Sequence, residues 1–325
     1  MSDADQHAFI PTSSPPSLRN TSEDWSEKGI GPNWQRHFFH WLIRLGGRQR
    51  GYHMSHILTF WYVLLHPSIR RRCRFYLDRR FPDRRSVLQR FLDTYHLVRT
   101  FGTTLVDPMV MEILGPAAFS VSSPDHDRLL DISAGKNGLV VIHAHMGSWQ
   151  IAIPTLGKFP KRVSVVRIPD SNAPTLADSP GTIDPRTGLQ SAIQMADALM
   201  AGEIVVLAGD RTLGSEQSVA PAQFLGGRVF LPITPYRLAS ATGAPVLVLT
   251  SPKTSGDNYL LKLAKVIKVP PGLGRNPENY VPYAQMFADS IEEFVSQYPW
   301  QFYNFYDFWQ DPRPYRRGKP SDAAA

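Results

Sequence analysis

The chain has 325 residues, of which 42% are hydrophobic and 19% are charged, a composition typical of a folded globular protein. Its formal net charge of +7 predicts an anionic partner, and nucleic acid, anionic lipid and phosphate-bearing substrates are the alternatives. The single cysteine, Cys73, excludes an intramolecular disulfide and a metal site made of several cysteines. No segment has the uninterrupted run of about 18 apolar residues that is typical of a membrane-spanning helix.

The two ends of the chain differ in composition from its middle. Residues 1–28 are rich in Ser, Pro and Asp and contain few apolar side chains to bury, so they predict a disordered leader. Residues 313–325 are similar and predict a disordered tail. No internal repeat and no Gly/Ser-rich linker lies between them. We therefore expect one domain over residues 29–312, with a helical part (29–114) and an α/β part (115–312).

The helical part contains a segment with two interpretations. Residues 56–65 are apolar and aromatic-rich, which is typical either of a buried core helix or of a helix in a membrane interface, with Trp61 and Tyr62 at headgroup depth. Eight arginines follow between positions 70 and 85. Such a run is usually a solvated helix face, but it also attracts anionic lipid headgroups. Nucleic-acid binding is not favoured, because no recognised nucleic-acid-binding module accompanies the charge.

The pattern changes after about residue 135, where short apolar runs rich in β-branched residues alternate with helical patterns. Such runs are typical of strands that are buried on both faces of a sheet. The alternation predicts an α/β fold with a mostly parallel central sheet flanked by helices, and a helical N-terminal part that caps the sheet or docks to a membrane. The predicted strands are 138–143, 163–166, 204–208, 245–250 and, antiparallel to its neighbour, 258–269; the predicted helices are 189–200, 235–242 and 283–298.

Two histidines, His143 and His145, lie at the carboxyl end of the strand 138–143. Binding sites of open α/β sheets lie at that end. Gly147 allows a tight turn, and a helix that begins after it offers free N–H groups to a developing negative charge. A single histidine at such a place is more often structural than catalytic, so the residues alone leave both roles open.

The segment 143–150, HAHMGSWQ, resembles the His-x4-Asp/Glu motif of the lysophospholipid acyltransferase superfamily. More narrowly, it resembles the bacterial late (lauroyl/myristoyl) acyltransferases of lipid A biosynthesis. His145 matches the motif histidine, whereas His143 has Ser148 five positions on and does not. The resemblance implies that His145 is the general base, which takes the proton of an acceptor hydroxyl or amine during attack on an acyl thioester.

Gln150 stands where the family carries its acid. A glutamine carbonyl can accept the imidazole N–H and fix the tautomer, but it cannot stabilise an imidazolium with a full charge. Two hypotheses follow from this difference. Either the protein is an acyltransferase in which Gln150 orients His145, or it is a catalytically weak or inactive lipid-binding relative with the same fold.

Further segments are similar to the family in order and spacing over about residues 35–310. The family has a second conserved segment in which a glycine, a strand and an aspartate follow one another, and Gly202, the strand 204–208 and Asp210 resemble it. Further along, the Phe-Leu-Gly-Gly segment 224–227 resembles the family's Phe-Phe-Gly segment. An aspartate in such a place is also a common turn or cap residue. The resemblance implies substrate binding by residues of these segments and by two basic residues near the acceptor headgroup: Arg167, Arg186, Asp210, Arg211, Phe224 and Gly226.

The resemblance implies an enzyme of lipid biosynthesis. The expected donor is an acyl carrier protein or coenzyme A thioester, and the expected acceptor is a lipid or glycolipid. The expected location is an anionic membrane surface, the cytoplasmic face of the bacterial inner membrane, with peripheral or monotopic attachment. No cofactor and no nucleic-acid partner is implied, and no His, Cys and acid cluster has the spacing of a metal site.

Overall fold

The computed structural model describes residues 33–156, 159–168, 181–211 and 218–311. The predicted leader 1–28 and tail 313–325 lie outside the described residues. In chain order the helices and strands are α1 (Asn33–Leu65), α2 (Pro67–Arg80), α3 (Val87–Leu114), β1 (Ser120–Ser122), α4 (His126–Ser133), β2 (Leu139–His143), α5 (Trp149–Leu156), β3 (Val163–Val166), β4 (Gly181–Ile183), α6 (Leu189–Met200), β5 (Ile204–Ala208), β6 (Val219–Phe224), β7 (Gly227–Pro232), α7 (Thr234–Thr242), β8 (Val246–Thr250), β9 (Asn258–Leu260), β10 (Lys262–Ile267) and α8 (Val281–Gln297).

The central sheet has six strands in the order β10-β8-β2-β5-β3-β4. Only the edge strand β10 is antiparallel to its neighbour, and the other four pairs are parallel. This arrangement confirms the mostly parallel sheet. The predicted strand 258–269 is divided in two: β10 is antiparallel to β8 as expected, whereas β9 pairs in parallel with β1 outside this sheet. Parallel strands need crossover connections, and helices α5, α6 and α7 lie between the strands in the chain.

The central strand β2 is buried at all five positions, and its side chains alternate between two cores. Val140 and Ile142 pack in a cluster that includes Phe287 and Ile291 of α8. The intervening residues, Leu139 and Val141, pack in a second cluster with α4 and α5 residues. Because successive strand side chains point to opposite faces, two buried faces require an uninterrupted apolar run. The run at 138–143 therefore reflects helices on both sides of the sheet.

The helices predicted within 33–114 are present, and α1 is interrupted at Gly46 and Gly47, where the backbone is not helical. Helix α3 begins after Ser86, whose hydroxyl accepts a hydrogen bond from the Gln89 amide at 3.1 Å. No helix in the described ranges is both long enough and apolar enough to cross a membrane.

Helices α1 and α3 expose a set of large apolar side chains. Phe60 of α1 contacts Phe91 and Tyr95 of α3, with ring centroids about 6 Å apart, so the two exposed stretches adjoin. We call this surface the apolar patch and define it by eight exposed residues: Ile57, Leu58, Trp61, Leu64, Leu65, Val87, Leu88 and Leu92. Large exposed apolar surfaces are a common feature of interaction sites.

Four strands were not among the predicted elements: β1, β4, β6 and β7. Strands β6 and β7 form a hairpin whose turn residues, Leu225 and Gly226, both have positive φ angles of 47° and 70°. Strands β1 and β9 form a parallel pair from segments far apart in the chain. Three-residue strands carry too few side chains for a period-2 pattern, so their pairing depends on tertiary contacts.

Gly209 fixes the approach of α8 to the end of β5. A Cβ at this position would lie 2.7 Å from the Phe287 ring. We therefore expect Gly209→Ala to lower the free energy of unfolding by about 1–3 kcal/mol. The control is Gly256→Ala, because an added Cβ meets no atom within 4 Å there. Urea unfolding measures both variants, and equal losses would contradict this packing argument.

Candidate active site

The site begins with two parallel neighbouring strands that end together. His143, the last residue of β2, pairs with Ala208, the last residue of β5. The Gly209 amide then donates to the His143 carbonyl at 2.8 Å, which extends the ladder by one residue. As a result, the residues that follow the two strands, His145 and Asp210, leave the sheet side by side at its carboxyl edge.

One carboxylate holds both the ring and the backbone of His145. Nδ1 of His145 lies 3.0 Å from Oδ1 of Asp210, and the His145 amide donates to Oδ2 at 2.9 Å. The Asp210 side chain has no exposed surface, whereas 31% of the His145 side chain is exposed. A carboxylate can only accept here, so the proton of the neutral ring lies on Nδ1. Nε2, which has no hydrogen-bond partner among the described residues, therefore presents its lone pair.

The charges around this pair keep the imidazole neutral and the carboxylate ionised. Burial lowers the pKa of His145, and the Arg211 guanidinium lowers it further, although Asp210 opposes both effects. Burial alone would raise the pKa of Asp210, but the electrostatic interaction and hydrogen bonds with His145, together with Arg211, hold that pKa well below its usual range. A neutral ring with an ionised partner is the state that a general base requires.

His143 has different surroundings, although its ring centroid lies 6.3 Å from that of His145. Its ring is buried and stacks on Trp149 at 4.9 Å, with an angle of 23° between the planes. Burial, followed by the effect of His145, lowers the pKa of His143 to about 4. His143 is therefore a neutral packing residue beside the site.

The turn after His145 is unusually close to another segment. Gly147 has a φ of +59°, and a Cβ there would lie 2.0 Å from the Ser251 carbonyl oxygen. The Gly147 amide donates to Gln301 O at 2.9 Å, and the Ser148 amide donates to Ser251 O at 2.8 Å. These two amides are thus already engaged and are not available to a substrate.

The next two amides belong to the first turn of α5. The amides of Trp149 and Gln150 form no hydrogen bond with another described residue. An unpaired amide at a helix N-terminus can stabilise an anion. The expected N–H donors therefore lie two and three residues after Gly147.

Gln150 does not fill the role that the motif spacing predicts. Its side chain is exposed on α5 and makes no hydrogen bond to His145. Nδ1 of His145 is instead paired with Asp210, an acid 65 residues later in the chain. The structure therefore corrects the expected partner of His145, since the acid comes from the end of β5. An Asp after a buried strand was the available signal, but its significance depended on the strand order.

The basic residues near the site lie at the same edge of the sheet. Arg167 follows β3 and Arg186 lies three residues after β4, and both side chains are exposed. Arg186 is bound to Asp184 at 2.6 Å. Arg211 donates to Tyr303 O at 3.2 Å. The parallel pairing of β3, β4 and β5 thus brings three predicted substrate-binding arginines to the edge that carries His145.

The other two predicted substrate-binding residues, Phe224 and Gly226, lie in the core and in a hairpin turn, away from His145. Phe224 is 1% exposed, and its ring packs on aromatic residues of the C-terminal segment. Gly226 occupies the β6–β7 hairpin turn, where its positive φ suits glycine. No hydrogen bond or ring contact joins either residue to His145. Within the described ranges, no group of three or more His, Cys, Asp or Glu is arranged to hold a metal ion.

Comparison with known proteins identifies the family of this chain. The family model described as bacterial lipid A biosynthesis acyltransferase matches residues 29–311, a range that includes both strand ends and the His145–Asp210 pair. No curated protein gives a significant match to the chain. Because the family match covers most of the sequence, the chain belongs to the bacterial lipid A biosynthesis acyltransferase family and is an acyltransferase.

Proposed function

We propose that this acyltransferase moves a fatty acyl group from an acyl carrier protein or coenzyme A thioester to a hydroxyl or amine of a lipid or glycolipid, with His145 as the general base. The observation that carries the proposal is the His145–Asp210 pair, in which the carboxylate fixes Nδ1 and leaves Nε2 unpaired. A base with a lowered pKa is neutral and ready to accept a proton near pH 7.

The reaction needs one proton carrier. Nε2 of His145 takes the proton of the acceptor hydroxyl as its oxygen attacks the thioester carbonyl carbon. The resulting imidazolium is stabilised by the ionised Asp210. When the tetrahedral intermediate collapses, the carbon–sulfur bond breaks and the thiolate takes the proton from Nε2. The products are the acylated acceptor and the free thiol, and His145 returns to its neutral form.

Two sets of groups near the His145–Asp210 pair are candidates for contacts with the substrates: backbone amides and arginine side chains. The unpaired amides of Trp149 and Gln150 are the candidate donors to the oxyanion of the intermediate, because they lie at the N-terminus of α5. Arg167, Arg186 and Arg211 are the candidate contacts for a phosphate-bearing acceptor, since guanidinium groups bind phosphate bidentately. Asp210 in this proposal supports the base and does not itself bind substrate.

The alternative, a catalytically weak or inactive lipid-binding relative, depended on the missing acid at position 150. Asp210 supplies a carboxylate to Nδ1 of His145, so the absence of an acid at position 150 no longer argues against catalysis. An imidazole with an ionised partner supports a transferase rather than a binding protein. We therefore favour an active acyltransferase. A protein that binds lipid but does not turn over an acyl thioester would support the alternative instead.

We also propose that the enzyme works at an anionic membrane surface, the cytoplasmic face of the bacterial inner membrane. The apolar patch supports this location, because Trp61 is 53% exposed and Leu65 is 66% exposed. Aromatic and aliphatic side chains of this kind partition into the interface of a bilayer. In the chain, the arginine-rich segment of α2 lies between the α1 and α3 residues of the patch.

Most arginines between positions 70 and 85 are engaged within the protein. Arg70 caps α1 through Val63 O and Leu64 O, Arg80 binds Val295 O and Ser296 O, and Arg84 pairs with the buried Asp93. Arg74 pairs with Asp78, and Arg79 lies over the Trp309 ring. The remaining side chains form no hydrogen bond or ion pair with another described residue, so they are the candidate headgroup contacts: Arg71, Arg72 and Arg85.

His145→Ala should abolish acyl transfer, because no other described group can take the acceptor proton at this position. Single-turnover transfer from an acyl carrier thioester to a panel of lipid acceptors measures the effect, with thioester hydrolysis as a second signal. Circular dichroism verifies that the variant is folded. Near-normal turnover by the folded variant would refute the assignment of the base.

Asp210→Asn should lower kcat by about 10²–10⁴, because the amide nitrogen that replaces one oxygen cannot accept a hydrogen bond from His145 and the negative charge is lost. The kcat/KM of the wild type should rise with pH through a pKa below 6.5. Without the charge that raises this pKa, the rise should move to lower pH. Gln150→Ala is the control and should change kcat by less than about threefold. An equal loss in both variants would show that Gln150 orients the base.

Vesicle binding should require anionic lipid and weaken at high salt, since surface charges are screened beyond about 8 Å at physiological ionic strength. Replacing the three unpaired arginines with Gln should weaken binding at low salt. A matched control replaces three exposed basic residues on and after β10 with Gln: Lys265, Lys268 and Arg275. Co-sedimentation measures both triple variants. Equal losses would assign the effect to net charge, and salt-independent binding would make the apolar patch the main anchor.

A further inference from the structure

The backbone of the His145 turn is held on one side by the C-terminal segment. The Tyr303 amide donates to His145 O at 2.7 Å, and the Gly147 amide donates to Gln301 O at 2.9 Å. Between them, Met146 and Phe302 form an antiparallel bridge. This segment therefore pairs with the turn as a short strand would.

The opposite side of the turn is held by the segment that follows β8. The Ser148 amide donates to Ser251 O at 2.8 Å, and the Ser251 hydroxyl donates back to Ser148 O at 3.1 Å. Gly147 leaves no space for a side chain between the two segments. The turn is thus confined from two directions by residues distant in the sequence.

The Gln301 side chain joins these two confining segments. Its Oε1 accepts a hydrogen bond from the Lys253 amide, and its Nε2 donates to Lys253 O, both at 2.8 Å. The hydrogen bonds form a closed ring that passes through Gly147, Gln301, the 251–253 segment and Ser148. A shift of the 251–253 segment or of the C-terminal segment relative to the His145 turn would therefore break at least one of these hydrogen bonds.

Lys253 is itself fixed to the helical part of the protein. Its Nζ lies 2.6 Å from Oδ2 of Asp107 and 2.7 Å from the Tyr52 hydroxyl. Asp107, on α3, is fully buried and also accepts hydrogen bonds from the Tyr52 and Tyr259 hydroxyls. The ammonium group lies within 5.4 Å of three ring centroids, those of Tyr52, Phe119 and Tyr259.

We propose that Gln301 is a positioning residue for His145 and that the Lys253–Asp107 ion pair anchors it to the helical part. Rate depends steeply on such positioning, because a displacement of about 1 Å can lower it by about 10²-fold. The inference rests on the proposed role of His145 as the base.

The test replaces Gln301 with Met, which removes both hydrogen bonds to Lys253 and keeps the length of the side chain. We expect kcat for acyl transfer to fall by about 10–100-fold, with KM changed by less than about twofold. Proton NMR follows the downfield Nδ1–H resonance of His145, which His145→Ala identifies by its loss. This resonance should shift or broaden in Gln301→Met, because the geometry to Asp210 changes.

The chain offers a matched control in Gln285 of α8. Its Oε1 accepts from the Gln223 amide at 2.8 Å and its Nε2 donates to Gln223 O at 3.1 Å, the same double hydrogen bond to a backbone. Gln285→Met should lower the melting temperature by a similar amount. It should leave both kcat and the His145 resonance unchanged, since Gln223 does not contact the His145 turn.

Equal losses of kcat in the two variants, or an unchanged His145 resonance in Gln301→Met, would overturn the inference. A wild type without turnover would contradict the proposed function instead, and the NMR comparison would still decide the role of Gln301. If Gln301→Met does not fold, Ser251→Ala removes only the hydrogen bond to Ser148 O. We expect that variant to lower kcat by about threefold or more, and an unchanged kcat and resonance would refute the positioning network.

Discussion

The parallel pairing of β2 with β5 is the constraint on which the rest of this site depends. Its register aligns His143 with Ala208, so the two chains leave the sheet together and His145 meets Asp210. The ladder is stable because both strands are buried between helices on either face. Any change in register by one residue would reverse the direction of every side chain on β5 and separate the pair.

The acid that pairs with His145 is Asp210, which follows β5, and not a residue at the motif position 150. In our proposal a carboxylate from the neighbouring strand supports His145, so position 150 on α5 need not carry a charge. The buried Asp210 interacts more strongly with the ring than an exposed carboxylate would, because water screens it less. The same burial makes the pair costly unless the carboxylate is fully hydrogen-bonded, and both of its oxygens accept from His145.

The helical first part contributes to the site and to the surface through different residues. Asp107 and Tyr52 anchor the segment after β8, which confines the His145 turn. Several arginines of α2 hold helix ends and aromatic rings of the same molecule, so only part of the basic run faces outward. If the proposed membrane surface is the partner, counting charges in the sequence overstates the number of arginines available to it, and the exposed apolar residues of α1 would add an attraction that charge counting omits.

The family resemblance singled out His145 as the candidate base. The sequence by itself determined the α/β class, five of the six strands of the central sheet and the main helices. Those features depend on local patterns, because burial on two faces requires continuous apolar runs and a helix requires a 3.6-residue period. The β6–β7 hairpin, the β1–β9 pair and the partner of His145 required the tertiary structure. Strand order brings Asp210 to His145, and long-range packing brings Gln301 and Ser251 to its turn. Such neighbours are separated by many residues, so no local period or spacing encodes them.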